Sequence, residues 1–223
     1  MAKQLKWDDG RLPPDTPELE AWCENRDEWI EHVAEFHSLP ADADKFPDYR
    51  KDTVKELVVR LIFGGQYKSW IKEMGFHVDH EPRSLRVEAL AEELAEVRKA
   101  VFDSTRWREF VAQDRARLQD EREKSQQERK KTDEEIDRSV FARVCQTLEN
   151  EVLASMRAFL AETGWTVLSL CFDGLIVMHR PERTVDLDGM NARIEKDTGF
   201  VLEVLEKPLY SAEFPTLSLE RAK

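Results

Sequence analysis

No two of the three cysteines, Cys23, Cys145 and Cys171, form a CxxC pair, and their number is odd. Neither a disulfide framework nor a zinc ribbon is suggested, and a reducing compartment is the expectation. No apolar run approaches the roughly 18 residues of a membrane-crossing helix, and Met1, Ala2, Lys3 and Gln4 lack the apolar stretch of a signal peptide. The expected protein is soluble and intracellular, without a membrane partner, with nucleus and cytoplasm left open. An excess of positive charge is missing too: 34 Lys and Arg stand against 46 Asp and Glu, a formal net charge of -12. Overall charge therefore excludes a protein drawn to phosphates as a whole, and any contact with nucleic acid needs a local basic patch. There is no internal repeat, and 223 residues are enough for one large domain or two small ones with a real core.

Thr16, Pro17 and Glu18 read as a helix start, with a capping hydroxyl, a proline at the first helical position and early negative charge. Leu19, Trp22, Cys23, Trp29, Ile30, Val33 and Phe36 then keep helical spacing. After a loop through Pro40 and Pro47, Val54, Leu57, Val58, Leu61 and Ile62 mark a second helix ending at Gly64 and Gly65. Trp70, Ile71 and Met74 belong to a short helix, and His77 to Pro82 to a loop. From Ser84, the residues Val87, Leu90, Leu94, Val97 and Val101 recur in steps of three and four. They predict a long helix with one apolar side, a theme prolonged by Trp107, Phe110, Val111 and Leu118. Between Gln119 and Asp137 the only strongly apolar residue is Ile136, so residues 119–137 read as a charged linker, mobile or a solvated helix extension, between 1–118 and 138–223.

The second half opens on a broad apolar helix from Val140 to Leu160, closed by Gly164 as a left-handed stop. The period then changes. Trp165 to Phe172 and Leu175 to His179 are strand-like runs joined at Asp173-Gly174, which predicts a tight antiparallel hairpin. A helix near Asp186 to Thr198 and a last strand from Phe200 to Leu205 complete the pattern. The expected fold class is α+β with helices dominant.

Two segments carry candidate chemistry. Asp173 sits at a hairpin tip whose arms, Leu168, Leu170 and Phe172 against Leu175, Ile176 and Val177, are almost wholly apolar. Asp-Gly is a common two-residue turn; equally, a rigid hairpin can hold a carboxylate at a fixed depth for metal-assisted phosphoryl chemistry. Lys51, Lys55, Val59 and Phe63 recur every four residues, so both ammonium groups and the ring share one helix face, and Gly64 follows. Such a face suits a nucleotide, with the lysines on phosphates, the ring near the base and the glycine admitting a close neighbour. Other residues have simpler readings. His77, His80 and Glu81 are exposed loop residues, Glu149 and Glu151 are solvated charges, Glu121 to Glu135 is a mixed-sign face, and the tryptophans at 22, 29, 70 and 107 are core anchors.

Together these segments resemble the family A DNA polymerases, and more closely the branch found in virophages and large transposons. Lys51, Lys55, Phe63 and Gly64 match that family's fingers helix, in which a basic residue, a Lys, an aromatic and a Gly keep these spacings. The resemblance assigns Lys55 to the incoming triphosphate, puts Lys51 at the position usually held by Arg, and puts Phe63 where a Tyr packs near the templating base. Gln146 matches a helical Gln near primer or template, and Asp173 the metal-binding Asp of the palm hairpin, without the family's flanking His and Glu. The stretches Trp22 to Asp27, Ser139 to Leu153 and Thr198-Gly199 to Lys207-Pro208 are also similar to that branch. The implied organisation is a fingers-like region over 1–118 and a palm-like region over 138–223. The implied activity is template-directed nucleotidyl transfer in DNA replication, with Asp173 binding Mg²⁺. The implied partners are a DNA primer-template, deoxynucleoside triphosphates, and a missing N-terminal palm or exonuclease region or a fused helicase. A second catalytic carboxylate is expected on a palm strand before Trp22; Asp8 and Asp9 lack the apolar strand for it, and the expectation is a fragment, with a degenerate copy as the alternative. The alternative is a helical interaction or dimerisation module in which the stripe after Ser84 is a docking face.

Overall fold

A computed structural model describes residues 14–40, 48–76, 83–125, 130–171 and 174–207. Helices α1 (Pro17–Glu24), α2 (Arg26–Phe36), α3 (Tyr49–Ile62), α4 (Tyr67–Glu73), α5 (Leu85–Asp103), α6 (Arg108–Lys124) and α7 (Asp133–Glu162) come first. Strands β1 (Val167–Cys171) and β2 (Gly174–Val177) and helix α8 (Leu187–Thr198) follow. The arrangement is α+β and helix-dominant, with one two-stranded antiparallel sheet. Among the described residues no helix is long and apolar enough to cross a membrane. The chain divides into two compact units, Met1–Glu149 and Asn150–Lys223, so the boundary falls within α7 and residues 119–137 belong to the first unit.

In the first unit α3 buries Val54, Leu57, Val58 and Leu61 against Trp29, Ile30 and Val33 of α2 and Val87, Leu90 and Leu94 of α5. Each such burial contributes about 1.5–3 kcal/mol, so this stripe fixes how the helix is rotated. The start of α1 is held differently from the expected cap. Pro17 does stand at the first helical position, but the Thr16 side chain makes no capping hydrogen bond. The Glu93 carboxylate of α5 takes its place, accepting the backbone N–H groups of Glu18 at 3.0 Å and Leu19 at 2.9 Å. Glu18 in turn accepts the indole N–H of Trp29 at 3.1 Å and Arg86 Nε at 2.9 Å.

A second core in the same unit joins Trp107, Val111 and Leu118 of α6 to Ile136, Val140 and Val144 of α7. The charged stretch does therefore contribute to a core, because α6 extends to Lys124 and α7 begins at Asp133, leaving Ile136 fully buried. Charges on this helix pair are matched: Arg115 Nε meets Asp137 at 2.8 Å, and buried Asp114 accepts from Arg117 at 3.0 Å and forms an ion pair with Arg143 at 3.3 Å.

In the second unit Leu153, Met156 and Leu160 of α7 pack with Trp165, Met190 and Ile194, and Val167, Leu175 and Val177 of the hairpin lean on this cluster. Gly164 closes α7 in the left-handed conformation, at φ 76°, which only glycine adopts without strain. The hairpin register pairs Cys171 with Gly174 and Leu170 with Leu175. Gly174 is thus a strand residue rather than half of an Asp173-Gly174 turn, one position away from the expected register. The last strand is corrected as well: residues 200–207 form no strand, and the Val204 N–H is satisfied by the Asn191 side chain at 3.0 Å instead of a neighbouring strand. Ser155 of α7 donates to Asp197 of α8 at 2.9 Å, and Arg193 bridges Asp197 at 2.6 Å to Glu162 at 2.8 Å.

Two outcomes follow from these contacts. Glu93→Ala removes two charge-assisted bonds and leaves the first-turn N–H groups uncapped, so it should lower unfolding free energy by about 2 kcal/mol. An unshifted urea midpoint would contradict this. The bonds from Arg193 and Ser155 hold the Asp197 carboxyl below its ordinary value. A depressed carboxylate contributes stability above its unfolded pKa and loses it as pH falls through the folded one. Acid titration from the ordinary Asp range downward should therefore destabilise the parent protein more than Asp197→Asn, with parallel curves as the contrary result.

Candidate nucleotide-binding face

Because α3 commits Val54, Leu57, Val58 and Leu61 to the core, the opposite side of the helix is left to solvent. That side carries Lys51, Lys55, Val59 and Phe63. Lys51 is exposed and Lys55 partly so, while Val59 and Phe63 are 51% and 37% exposed, large apolar groups that the core does not claim. Eight residues separate Lys55 from Phe63, about 12 Å along a helix.

Lys51 and Lys55 line an open hollow of about 600 Å³ whose other wall is the chain from Cys23 to Glu28. Asn25 creates that wall. Its N–H closes the end of α1 on Ala21 at 2.9 Å while its carbonyl starts α2 by accepting Trp29 N–H at 3.0 Å, so two helix ends meet at one residue. Arg26 adds a third cation to the hollow, and Glu24, Asp27 and Glu28 contribute carboxylates. Neither Lys51 nor Lys55 makes an ion pair among the described residues. Partial desolvation pushes the Cys23 thiol up from its ordinary value, although the residue is exposed.

At the far end of α3, Gly64 adopts φ 78°. A methyl group on it would lie 2.6 Å from Arg98 Nη1 of α5 and 3.0 Å from Arg138 Cγ of α7. The close approach expected of this glycine is thus made by two arginine side chains. Gln146 lies exposed on α7 and lines neither this hollow nor the one between α5 and α6. Asp173, Asp8, Asp9, His77, His80 and Glu81 lie outside the described residues.

Compared with protein-family models, curated proteins and solved structures, the chain finds no match. The functional argument rests on the side chains themselves. Among the described residues no three His, Cys, Asp or Glu side chains gather as a metal site. Asp173, the residue that would hold a Mg²⁺ ion, is not among them.

Sequence reasoning found the lysine face from its four-residue spacing, but it missed the Asn25 wall and Arg98. Both depend on contacts between helices distant in the chain, and nothing in the α5 pattern distinguishes Arg98 from its charged neighbours. Gly64→Ala combines a left-handed backbone with a clash against Arg98, and should destabilise the protein by at least about 1–2 kcal/mol. A parental melting temperature in that variant would mean that Arg98 and the loop yield freely.

Proposed function

We propose that this chain serves template-directed nucleotidyl transfer as the fingers-and-palm part of a family A-like DNA polymerase, with α3 holding the incoming deoxynucleoside triphosphate. The observation that carries the reading is the line Lys51, Lys55, Val59, Phe63 on the outer side of α3, whose two lysines lack ion pairs among the described residues and border a hollow. Two lysines one turn apart without ion pairs among the described residues suit phosphates. The hollow's volume of about 600 Å³ falls within the range of small-molecule sites, about 300–1,000 Å³.

In this reading Lys55 and Lys51 act as point charges on the triphosphate, and Phe63 offers its ring to a base. Stacking of that kind contributes about 1–3 kcal/mol per base. Asp173 takes the metal-binding role and Gln146 a place near primer or template. Phosphoryl transfer asks for positioning and charge neutralisation more than covalent help, which suits a rigid helix presenting cations. The interaction-module alternative needs the stripe after Ser84 at the surface, whereas Val87, Leu90 and Leu94 are 0%, 0% and 5% exposed. That stripe is occupied within its own unit.

The test is a titration of the full chain with a deoxynucleoside triphosphate, followed by fluorescence. Lys55→Ala should weaken binding by about 10- to 100-fold, the loss expected of one charge-assisted phosphate contact. Its melting temperature should hold, because Lys55 makes no contact that the core depends on. Equal affinity in parent and variant would detach α3 from the triphosphate and remove the chief support for the polymerase reading.

A further inference from the structure

A second hollow, of about 470 Å³, opens between α5 and α6 and carries an uneven set of charges. Arg98, Lys99, Arg108 and Arg115 line it, facing only Asp103 and Asp137. Asp137 is already engaged by Arg115 at 2.8 Å. Arg115 is also held in place by the Phe102 ring, whose centre is 5.5 Å from the guanidinium carbon. Arg108 spends one nitrogen on the Asp103 backbone carbonyl at 3.2 Å and makes no ion pair among the described residues. Lys99 stands exposed at the rim.

Arg98 is the misfit. It is partly buried, and among the described residues its solvent-shielded Nη1 has no hydrogen-bond partner and no carboxylate forms an ion pair with it. Burial pulls its pKa down, and the neighbouring Arg138 adds to that. A partly desolvated guanidinium next to a second cation costs stability unless an anion neutralises it. Among the described residues the compensation comes from the Phe141 face, 5.9 Å from the guanidinium carbon, and from the nearby Asp137 carboxylate. Gly64, by lacking a Cβ, is what lets Arg98 occupy this place.

We propose that this hollow binds a phosphate oxyanion, either a phosphodiester of single-stranded nucleic acid or a free polyphosphate, on Arg98, Lys99 and Arg108. Arg115, fixed by Asp137 and Phe102, shapes the wall. Guanidinium groups suit this ligand because their planar forks match phosphate oxygens, and the ligand supplies the counter-charge that Arg98 lacks. The site is distinct from the lysine face of α3 and does not depend on what that face binds.

The experiment uses the full chain carrying Lys51→Ala and Lys55→Ala, so that the α3 lysines contribute nothing. It is titrated calorimetrically with inorganic tripolyphosphate and, separately, with an oligothymidylate of about 12 nucleotides. At least one probe should bind, and adding Lys99→Ala with Arg108→Ala, both exposed residues, should weaken it by about tenfold or more with an unchanged circular dichroism spectrum. For the oligothymidylate, each phosphate contact removed should also lower the slope of log K against log salt by about 0.7. Tighter binding of tripolyphosphate identifies a free polyphosphate as the source; tighter binding of the oligothymidylate identifies a nucleic-acid backbone. Absence of binding by both probes, or a smaller loss on Lys99→Ala with Arg108→Ala, overturns the proposal.

Discussion

The placement of α1 depends on one carboxylate. Glu93 reaches from α5 to the first-turn N–H groups of a helix 75 residues earlier, and Glu18 then passes the connection to Trp29 and Arg86. An uncapped helix start in a partly buried setting would leave donors without acceptors, so α1 can sit against α5 only with an acceptor at that point. α5 itself packs against α3 and α4 as well as α1. The wall formed at Asn25 and the face carrying Lys51 and Lys55 are thereby referenced to the same helix. Their separation, and with it the hollow between them, is a property of the core.

The magnitudes explain why the lysine face stays free. Four buried aliphatic side chains on α3, at about 1.5–3 kcal/mol each, outweigh anything an exposed ion pair could offer, commonly below about 1 kcal/mol. Core packing sets the rotation of the helix, and the outer residues take what remains. Lys51 and Lys55 beside the Asn25 junction, and Arg98 behind Gly64, make no ion pair among the described residues, although carboxylates line both hollows. The Asp114 and Arg193 clusters, by contrast, pair their charges.

What was legible in the sequence was local. The stripes of α3, α5 and α7, the Gly164 stop and the shared face of Lys51, Lys55 and Phe63 follow from helical geometry alone. The run read as one helix from Leu19 to Phe36, however, is two helices meeting at Asn25, and α7 starts at Asp133 rather than near Val140. The failures involve partners that periodicity does not encode. Phe200 to Leu205 has the composition of a strand, but a strand exists only if a neighbour supplies a ladder, and Val204 finds a side-chain amide on α8 instead. The hairpin register differs by one because Gly174 joins the ladder opposite Cys171, a choice made by cross-strand packing as well as by turn preference. Ile136 looked isolated among charges because its companions Val111 and Leu118 lie on another helix. For the candidate site, the cations were readable and the opposing wall was not.

Of the six tryptophans, Trp165 alone falls in the unit Asn150–Lys223. It is 8% exposed, with the guanidinium carbons of Arg183 and Arg180 at 5.0 and 5.7 Å from its ring centre. Cations over an indole alter its emission, and burial shifts that emission to shorter wavelength. A chain in which the other five indoles are replaced by Phe would carry a single fluorophore seated in the second unit's core. The fold thus already contains an optical probe that reports the melting of one unit separately from the other.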